Sequence, residues 1–325
     1  MIYLTGDFGQ KQIEQSNGIE LFRGQKPPFG QPFYKVLWGT FQLIRALWKI
    51  NPDIIVDRTA SPRIGVLILF KIIKKTPYIF MTASERDCDG SYEKTTNPLF
   101  AFLYRFGLKK ASLITTQNKY QQALLSENKS ISSRVFRNVF PVIPRPREEK
   151  TDILWVGRCT AVKRPELFLK MSSAIPEEKF VMIMSPALSE KELYQKTTDQ
   201  AKSIQNLELI PQVPFAEIQR YYNRAKILIC TSTREGFPNT FLHAAAGCTP
   251  VLSLNVDPDG ILEKFRWGVN SHDNWEHFLN EAGKLLTDHN KRKAWGENAY
   301  NYFKEYHSLK KGVTLFKELI DAILD

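Results

Sequence analysis

The chain has 325 residues, of which 43% are hydrophobic and 24% charged, so it can bury a large core and is long enough for two domains. This composition excludes disorder over most of its length. Lysine and arginine number 45 against 34 for aspartate and glutamate, and the excess indicates an anionic partner: a phosphate-bearing ligand, an acidic membrane surface or nucleic acid.

The four cysteines include no C-x-x-C pair, and no secretory leader precedes the first strand-like run, so we expect a reduced, cytoplasmic chain. The longest apolar runs, such as residues 64–70, are far shorter than the ~18 residues that a membrane span needs. Any contact with a membrane is therefore expected at its surface.

Short β-branched runs alternate with longer helical patterns in the first part of the chain. We predict strands over residues 2–5, 19–22, 53–56, 78–81 and 112–115. We predict helices over residues 34–50, 64–75, 99–109 and 119–126. This alternation is typical of a parallel sheet that is covered on both faces.

Residues 141–150 contain three prolines and a charge run, which support neither a helix nor a strand and predict a linker. The alternation then resumes, with strands predicted over residues 152–156, 180–183, 207–210 and 227–230, and helices over 165–173, 191–202, 216–225 and in the last part from 275 to 324. We therefore expect an α/β protein with two Rossmann-like, doubly wound domains, residues 1–145 and 146–325, that face each other across a cleft. Ligands of such sheets bind at the carboxyl ends of the strands.

The first candidate site is the stretch "VGRCTAVKRPE", which begins at Val156. Gly157 permits a close turn of the backbone after the strand, Arg158 and Lys163 add two cations, and Pro165 suits the first turn of a helix. Amides at a helix start together with positive side chains form a binding site for a diphosphate. The spacing is not that of a P-loop, and a solvated basic loop is the alternative explanation.

The second candidate site is "STREGFPNTFLHAAAG", residues 232–247. Pro238 again indicates a helix start, which leaves the N–H groups of residues 237–240, other than Pro238 itself, free to face the cleft. Glu235 is placed to accept hydrogen bonds from hydroxyl groups, although a helix-capping acid would occupy the same position. Two phosphate-binding turns at equivalent strand ends predict a nucleotide that carries a polyhydroxylated group.

Three stretches resemble the donor-binding domain of glycosyltransferase family 4, the group 1 retaining glycosyltransferases of the GT-B fold. They are "VGRCTAVKRPELFL", "VPFAEIQRYYNRAKILICTSTREGFPNTFLHAAAGCTPVL" and "NVDPDGILEK", in the order of the family, and the resemblance covers nearly all of residues 151–325. More loosely, "TGDFGQ", "NPDIIVDRTASPRIG" and "KKASLITTQNKYQQALL" resemble its acceptor-side domain. The resemblance implies transfer of a sugar from a nucleotide diphosphate donor, with retention of anomeric configuration and without a metal or a cofactor.

The resemblance also assigns roles to residues of the two candidate sites. Arg158 and Lys163 would neutralise the diphosphate as it leaves, and Glu235 would bind hydroxyls of the donor sugar. The remaining donor-binding residues that it implies are Gly157, Gly236, Phe237, Pro238, Asn239, Thr240 and His243.

His243 stands where the family has a second acid, which binds the ribose of the nucleotide. A neutral imidazole makes one hydrogen bond where a carboxylate accepts two. We therefore expect donor binding to be weaker by about 1–2 kcal/mol. A His243 that merely faces solvent is the alternative.

The opening "MIYLTGDFGQ" resembles a region well after the family's first strand and glycine-rich loop, so we expect the first domain to lack its first βα unit. A start further upstream, a partner that completes the sheet and catalytic impairment remain open as explanations. Where the family often has a histidine that contacts the sugar, this chain has "TASERDCDG", residues 82–90. Glu85 or Asp87 would serve an acceptor hydroxyl there, although a turn rich in Asp and Gly explains both equally well.

Some features of the sequence are also compatible with other functions. Two Asp-x-Asp triplets, residues 87–89 and 257–259, leave open a metal-dependent glycosyltransferase, although Pro258 and Gly260 also fit a tight turn. The five histidines lack ligand spacing on one helix face, so we expect no metal site. Basic residues are spread along the chain without interleaved aromatics, so we expect no nucleic-acid partner. A non-catalytic homologue that binds a nucleotide sugar or serves as a partner subunit is the alternative function.

Residues 33–49 combine aromatic side chains with Lys and Arg, as helices at a membrane interface do. Five lysines add positive charge nearby in the sequence: Lys71, Lys74, Lys75, Lys109 and Lys110. An acidic membrane surface is therefore a candidate partner, with a core helix that has a basic outer edge as the alternative. The other expected partners are a UDP- or GDP-linked sugar and a glycan or lipid-linked acceptor in cell-surface polysaccharide or glycolipid synthesis.

Overall fold

The computed structural model describes residues 2–5, 13–16, 19–23, 33–146 and 148–324. The strands are β1 (Ile2–Thr5), β2 (Ile13–Ser16), β3 (Ile19–Arg23), β4 (Ile55–Arg58), β5 (Tyr78–Met81), β6 (Leu113–Thr116), β7 (Arg134–Val135), β8 (Asp152–Arg158), β9 (Lys179–Ser185), β10 (Leu207–Ile210), β11 (Ala225–Cys230), β12 (Val251–Ser253) and β13 (Gly268–Asn270). The α-helices are α1 (Phe33–Ile50), α2 (Arg63–Lys74), α3 (Ser91–Thr95), α4 (Pro98–Lys110), α5 (Lys119–Lys129), α6 (Pro165–Ala174), α7 (Lys191–Ala201), α8 (Gln219–Arg224), α9 (Asn239–Ala246), α10 (Ile261–Lys264), α11 (Trp275–Thr287), α12 (His289–Tyr306) and α13 (Leu309–Leu324).

The first part of the chain contributes two sheets. One has the order β4-β5-β6-β7 with every pair parallel, as the alternation of elements predicts. The other has the order β1-β3-β2, and its β2–β3 pair is antiparallel. Strand β2 was not predicted, because its sequence Ile-Glu-Gln-Ser contains a single apolar residue. The stretch "TGDFGQ" extends into residues 6–10, which lie outside the described residues, so its resemblance stays a prediction.

The second part contributes a six-stranded parallel sheet in the order β10-β9-β8-β11-β12-β13. Successive residues of its central strands point to opposite faces: Leu154 and Leu228 belong to one apolar cluster, Ile153 and Ile227 to the other. The sheet is therefore covered by helices on both sides. Since β8 and β11 are neighbours, the loops that follow them begin side by side at one edge of the sheet.

The last helix returns to the segment that follows β7. Phe140 pairs with Ser308 in an isolated parallel bridge, and the rings of Phe136 and Phe316 lie 5.4 Å apart. Residues 141–146 and 148–150 form neither helix nor strand, which agrees with the pattern of three prolines. No helix in the described ranges is both long and apolar enough to cross a membrane.

Candidate functional site

The loops after β8 and β11 are joined into one surface. The loop after β8 forms a 3-10 turn over Ala161–Lys163, and several hydrogen bonds join it to the other loop. The Thr233 amide donates to the Val162 carbonyl at 2.9 Å, and the Thr231 hydroxyl donates to the Lys163 carbonyl at 2.6 Å. The two stretches that sequence patterns singled out separately therefore form a single candidate site.

Lys163 and Glu235 form an ion pair across these loops. The Ser232 hydroxyl donates to the same Glu235 oxygen at 2.9 Å and helps to orient the carboxylate. The two side chains are 24% and 18% exposed, so both remain accessible from solvent. The predicted diphosphate cation thus touches the predicted sugar-binding acid, and an anionic ligand would compete with Glu235 for Lys163.

Arg158 and Gly157 end strand β8. The Arg158 side chain is exposed and has no ion-pair partner among the residues that the structure describes, so its charge is available to a ligand. Gly157 does not form the predicted turn: it lies within the strand, opposite Met184. A Cβ at this position would lie 2.9 Å from the Trp155 ring, so the absence of a side chain leaves room for the indole.

Arg164 adopts the left-handed backbone conformation in this loop, with φ of 47°. Its side chain also links the loop to neighbouring segments. Its Nε donates to the Thr231 carbonyl at 2.7 Å, and its guanidinium forms an ion pair with Asp273 at 2.6 Å. The sequence does not show that Arg164 is structural whereas Lys163 is open to a ligand, because the two cations are adjacent in one short basic stretch.

The loop after β11 leads into α9 with Pro238 at the N-cap position. No described residue accepts a hydrogen bond from the amides of Gly236, Phe237, Asn239 or Thr240. Unpaired amides at a helix N-terminus favour an anionic or strongly accepting ligand. The Phe237 ring is buried, with its centroid 4.8 Å from that of His307, and this packing holds the loop in place.

A polar cluster after β6 contacts this loop, although the two lie far apart in sequence. The Asn118 side chain donates to the Gly236 carbonyl at 2.5 Å, and the Asn138 side chain donates to the Asn239 side chain at 2.9 Å. A Cβ on Gly236 would overlap Gln117 and lie 2.7 Å from Nε2 of Gln121. The sequence signal for Gln117, Asn118 and Gln121 is the polar run "TTQNKYQQ" at the end of β6, which was not predicted to be part of the site. Asn138, which follows β7, has no comparable signal.

The acids of the second Asp-x-Asp triplet are both engaged with backbone amides. Asp259 accepts from the amides of Lys119 and Tyr120, at 2.9 and 3.2 Å, and thereby caps α5. Asp257 accepts from the Leu262 amide at 3.0 Å, and burial raises its pKa to about 6. In the described ranges, no group of three His, Cys, Asp or Glu side chains is arranged to hold a metal ion.

Asp87 and Glu85, the two candidate acceptor acids, differ sharply in their surroundings. Asp87 is 2% exposed, and its oxygens accept from the amides of Ala60, Ala83 and Ser84 at 3.1, 2.7 and 3.1 Å. These contacts agree with the alternative in which Asp87 stabilises a turn and does not bind an acceptor hydroxyl.

Glu85 is half-buried and lies near enough to Arg234 and Glu235, in the loop after β11, for their charges to act on it. Burial raises the pKa of its carboxyl, while Arg234 lowers it and the nearby Asp89 and Glu235 raise it further. Of the two acids, Glu85 is therefore the more accessible.

Replacing Asp87 by Asn is expected to lower the free energy of unfolding by about 2–3 kcal/mol, because at least one buried amide loses a charged acceptor. Urea unfolding measures this change. Glu85→Gln is the matched control, since it removes a nearby charge that accepts none of these three amides. Equal stability of the two variants would contradict the structural role of Asp87.

His243 lies inside an aromatic group and is 8% exposed, so the alternative that it faces solvent is wrong. Its ring stacks on Tyr222 at 5.0 Å between centroids and meets Phe140 edge-on at 4.5 Å. The Gln219 amide nitrogen donates to the His243 carbonyl at 3.0 Å, and its oxygen lies 2.8 Å from Nδ1. This pattern assigns the proton to Nδ1 and leaves Nε2 as an acceptor.

The stability of the protein is expected to fall in mild acid because of His243 and His307. Burial lowers the pKa of each imidazole to about 4. Since these values lie below the ordinary ~6.5 of the unfolded chain, the unfolded state binds more protons between the two values. The stabilisation is complete above pH ~6.5 and is lost as the pH falls, by about 2 kcal/mol per histidine at pH ~5.

Urea unfolding at neutral and mildly acidic pH measures this loss in the parent and in a His243→Gln, His307→Gln double variant. Asp257 opposes the trend, because its raised pKa stabilises the folded state as the pH falls. The readout is therefore the difference in pH dependence between the two proteins. If the free energy of unfolding depends on pH in the same way in both proteins, the two histidines do not cause the loss of stability in acid.

The family of the chain follows from comparison with known proteins. Residues 137–302, about half of the chain, match the family model of glycosyl transferases group 1. The enzyme class is thus glycosyltransferase, and the chain belongs to glycosyl transferases group 1, as its three motifs predicted. The comparison with curated protein sequences found no match.

Solved structures are similar over nearly the whole chain. Sucrose-phosphate synthase from Thermosynechococcus elongatus aligns with a TM-score of 0.78 and 13% identity, over 99% of this chain and 88% of its own. A UDP-forming α,α-trehalose-phosphate synthase from Burkholderia vietnamiensis gives 0.77 and 11%, over 100% and 95%. Anabaena HepE, solved in complex with UDP and glucose, gives 0.73 and 11%, over 94% and 86%. These similarities confirm the expected GT-B arrangement of two Rossmann-like domains.

Proposed function

We propose that the protein is a retaining, metal-independent glycosyltransferase that moves a sugar from a nucleotide diphosphate donor to an acceptor hydroxyl. The observation that carries the proposal is the contact of Lys163 with Glu235 where the loops after β8 and β11 meet, in a member of glycosyl transferases group 1. The similar structures include a UDP-forming synthase and a complex with UDP and glucose, so UDP is the first nucleotide to test, ahead of GDP. The proposed setting is the cytoplasmic synthesis of cell-surface polysaccharide or glycolipid, with a glycan or lipid-linked acceptor. The proposed donor domain is residues 146–325.

The leaving diphosphate is stabilised by charge. Arg158 and Lys163 neutralise its oxygens, and the unpaired amides of the loop before α9 add hydrogen bonds. The bond from the anomeric carbon to the diphosphate oxygen breaks, and the acceptor oxygen bonds to the same face of that carbon. The proton of the acceptor hydroxyl passes to the departing phosphate oxygen, so charge and atoms balance.

Donor binding rearranges the ion pair that the structure shows. When Lys163 turns to the diphosphate, the Glu235 carboxylate is released to accept hydrogen bonds from hydroxyls of the sugar, with Ser232 still orienting it. Nε2 of His243 accepts one hydrogen bond from the ribose. On the opposite side Glu85 binds the acceptor hydroxyl, whereas the oxygens of Asp87 are already occupied.

The proposal is tested by incubating the purified chain with a panel of UDP- and GDP-linked sugars and measuring nucleotide release, with Glu235→Gln as the control. Proton NMR of the product reads the anomeric configuration, and EDTA tests the need for a metal. We expect nucleotide release that is insensitive to EDTA, and an axial donor linkage that stays axial. Inversion of the anomeric configuration would contradict the retaining mechanism, and loss of activity in EDTA would contradict metal independence. Binding of the nucleotide sugar without release of the nucleotide would favour a non-catalytic partner subunit.

A further inference from the structure

Three helices of the first part of the chain, α1, α2 and α4, have an unusual charge composition. Each carries three Lys or Arg residues, and none carries an Asp or Glu. The longer helices of the second part, α6, α7, α11, α12 and α13, each contain at least one acid. These three helices therefore contribute nine positive charges and no negative charge to the protein.

The three helices are in contact with one another. The ring of Trp48 in α1 meets Phe70 of α2 edge-on, with 6.0 Å between centroids, and Lys74 lies 4.3 Å above the Trp48 ring. Gly107 of α4 lies so close to Ile64 of α2 that a Cβ there would overlap the isoleucine. Helix α2 thus connects the other two, and their outer sides form one continuous surface.

This surface exposes large apolar side chains among the cations. Leu69, Ile72 and Ile73 of α2 are 54%, 53% and 58% exposed, although ordinary surface helices place such residues inward. On α4, Leu99 and Phe102 are 61% and 57% exposed. Phe106 stacks on Phe102 with 6.3 Å between centroids, and Trp48 is half-exposed. We call this surface the basic apolar face: its members are Trp48, Leu69, Ile72, Ile73, Leu99, Phe102 and Phe106 with Lys74, Lys109 and Lys110.

We infer that the basic apolar face docks the protein on an anionic lipid bilayer. Apolar side chains enter the boundary between headgroups and acyl chains, and a tryptophan is suited to that depth. Lysines beside them reach anionic headgroups, an attraction that an acid on the same helices would weaken. A second copy of the chain is a poorer occupant, because a symmetric contact would bring two uncompensated positive surfaces together.

Sedimentation with vesicles tests the docking. The full chain is mixed with vesicles of phosphatidylcholine alone or with added phosphatidylglycerol, at low and at high salt. We expect binding to the anionic vesicles that weakens at high salt, and little binding to the neutral ones. Lack of binding to anionic vesicles at low salt would overturn the inference.

Charge reversal locates the surface. The variant Lys74→Glu, Lys109→Glu, Lys110→Glu is expected to weaken binding about a hundredfold or more, since each cation near an anionic surface contributes about 1 kcal/mol. Its control changes the same net charge on exposed lysines of the second part: Lys191→Glu, Lys196→Glu, Lys293→Glu. Equal weakening by both variants would show an effect of net charge alone and would overturn the docking face.

Apolar variants test insertion and exclude a dimer. Ile72→Ser, Ile73→Ser, Phe102→Ser is compared with Leu188→Ser, which changes a 90% exposed leucine elsewhere. We expect only the triple variant to lose vesicle binding. We also expect brominated lipid to quench tryptophan fluorescence less in Trp48→Phe than in the parent.

Far-UV circular dichroism and UDP titration check that each variant is folded, independently of the docking. A doubled mass without lipid that the triple variant abolishes would assign the face to a second copy instead.

Discussion

Replacing Lys163 by Met is expected to lower kcat/KM for the donor by about a hundredfold to a thousandfold, because a charge aimed at the leaving diphosphate is lost. Methionine keeps the length of the side chain and removes the ammonium, so packing changes little. Glu235 then loses its ion-pair partner but keeps the hydrogen bond from Ser232. The measurement is initial-rate kinetics of nucleotide release at varied donor concentration.

The matched control for this change is Lys293→Met, which removes an exposed lysine of α12. It should leave kcat/KM unchanged. Lys163→Arg should recover part of the activity, because guanidinium keeps the charge but positions it differently. Full activity of Lys163→Met would remove the proposed role of this residue.

Replacing Gly236 by Ala is expected to reduce activity by at least about tenfold, because the new methyl group displaces the loop that would hold the donor. The Cβ would overlap Gln117 and approach Nε2 of Gln121 at 2.7 Å and the Ala83 carbonyl at 3.0 Å. Gln117 and Gln121 are both buried, so relief of the overlap requires their side chains or the loop itself to shift. Overpacking of this kind costs about 1–3 kcal/mol of stability.

The control is Gly283→Ala in α11, where an added Cβ meets no atom within 4 Å. That change should stabilise the helix by up to about 1 kcal/mol and leave the kinetics unaltered. Thermal unfolding and donor kinetics are measured for both variants. If Gly236→Ala behaves like the control, the loop is not held by the polar cluster after β6.

The alternation of apolar runs predicted most of the second sheet, because its buried strands and amphipathic helices have strong periods. Strand β10 and the starts of α6 and α7 lie where the pattern put them. Strands β12 and β13 were not predicted, since three residues are too few for a period to be visible. Their position is fixed by pairing with β11, which is a tertiary effect.

The sequence was sufficient to locate the two loops of the candidate site, but not to show that their side chains contact each other. Proline and glycine after apolar runs located the stretches around Lys163 and Glu235, but the ion pair between them depends on the order of strands in the sheet. The role of Gly157 was misread, because the residue that it accommodates, Trp155, is on its own strand. The contact of Asn118 with Gly236 spans more than a hundred residues, and no local pattern encodes it.

Calorimetric titration of the purified chain with UDP, and with GDP in parallel, tests the central claim that the loops around Lys163 and Glu235 bind a nucleotide diphosphate donor. We predict that one nucleotide binds at one site per chain, and that Lys163→Met weakens its binding about tenfold or more while Lys293→Met does not. Binding of neither nucleotide, or binding that Lys163→Met leaves unchanged, would contradict the assignment of the donor site.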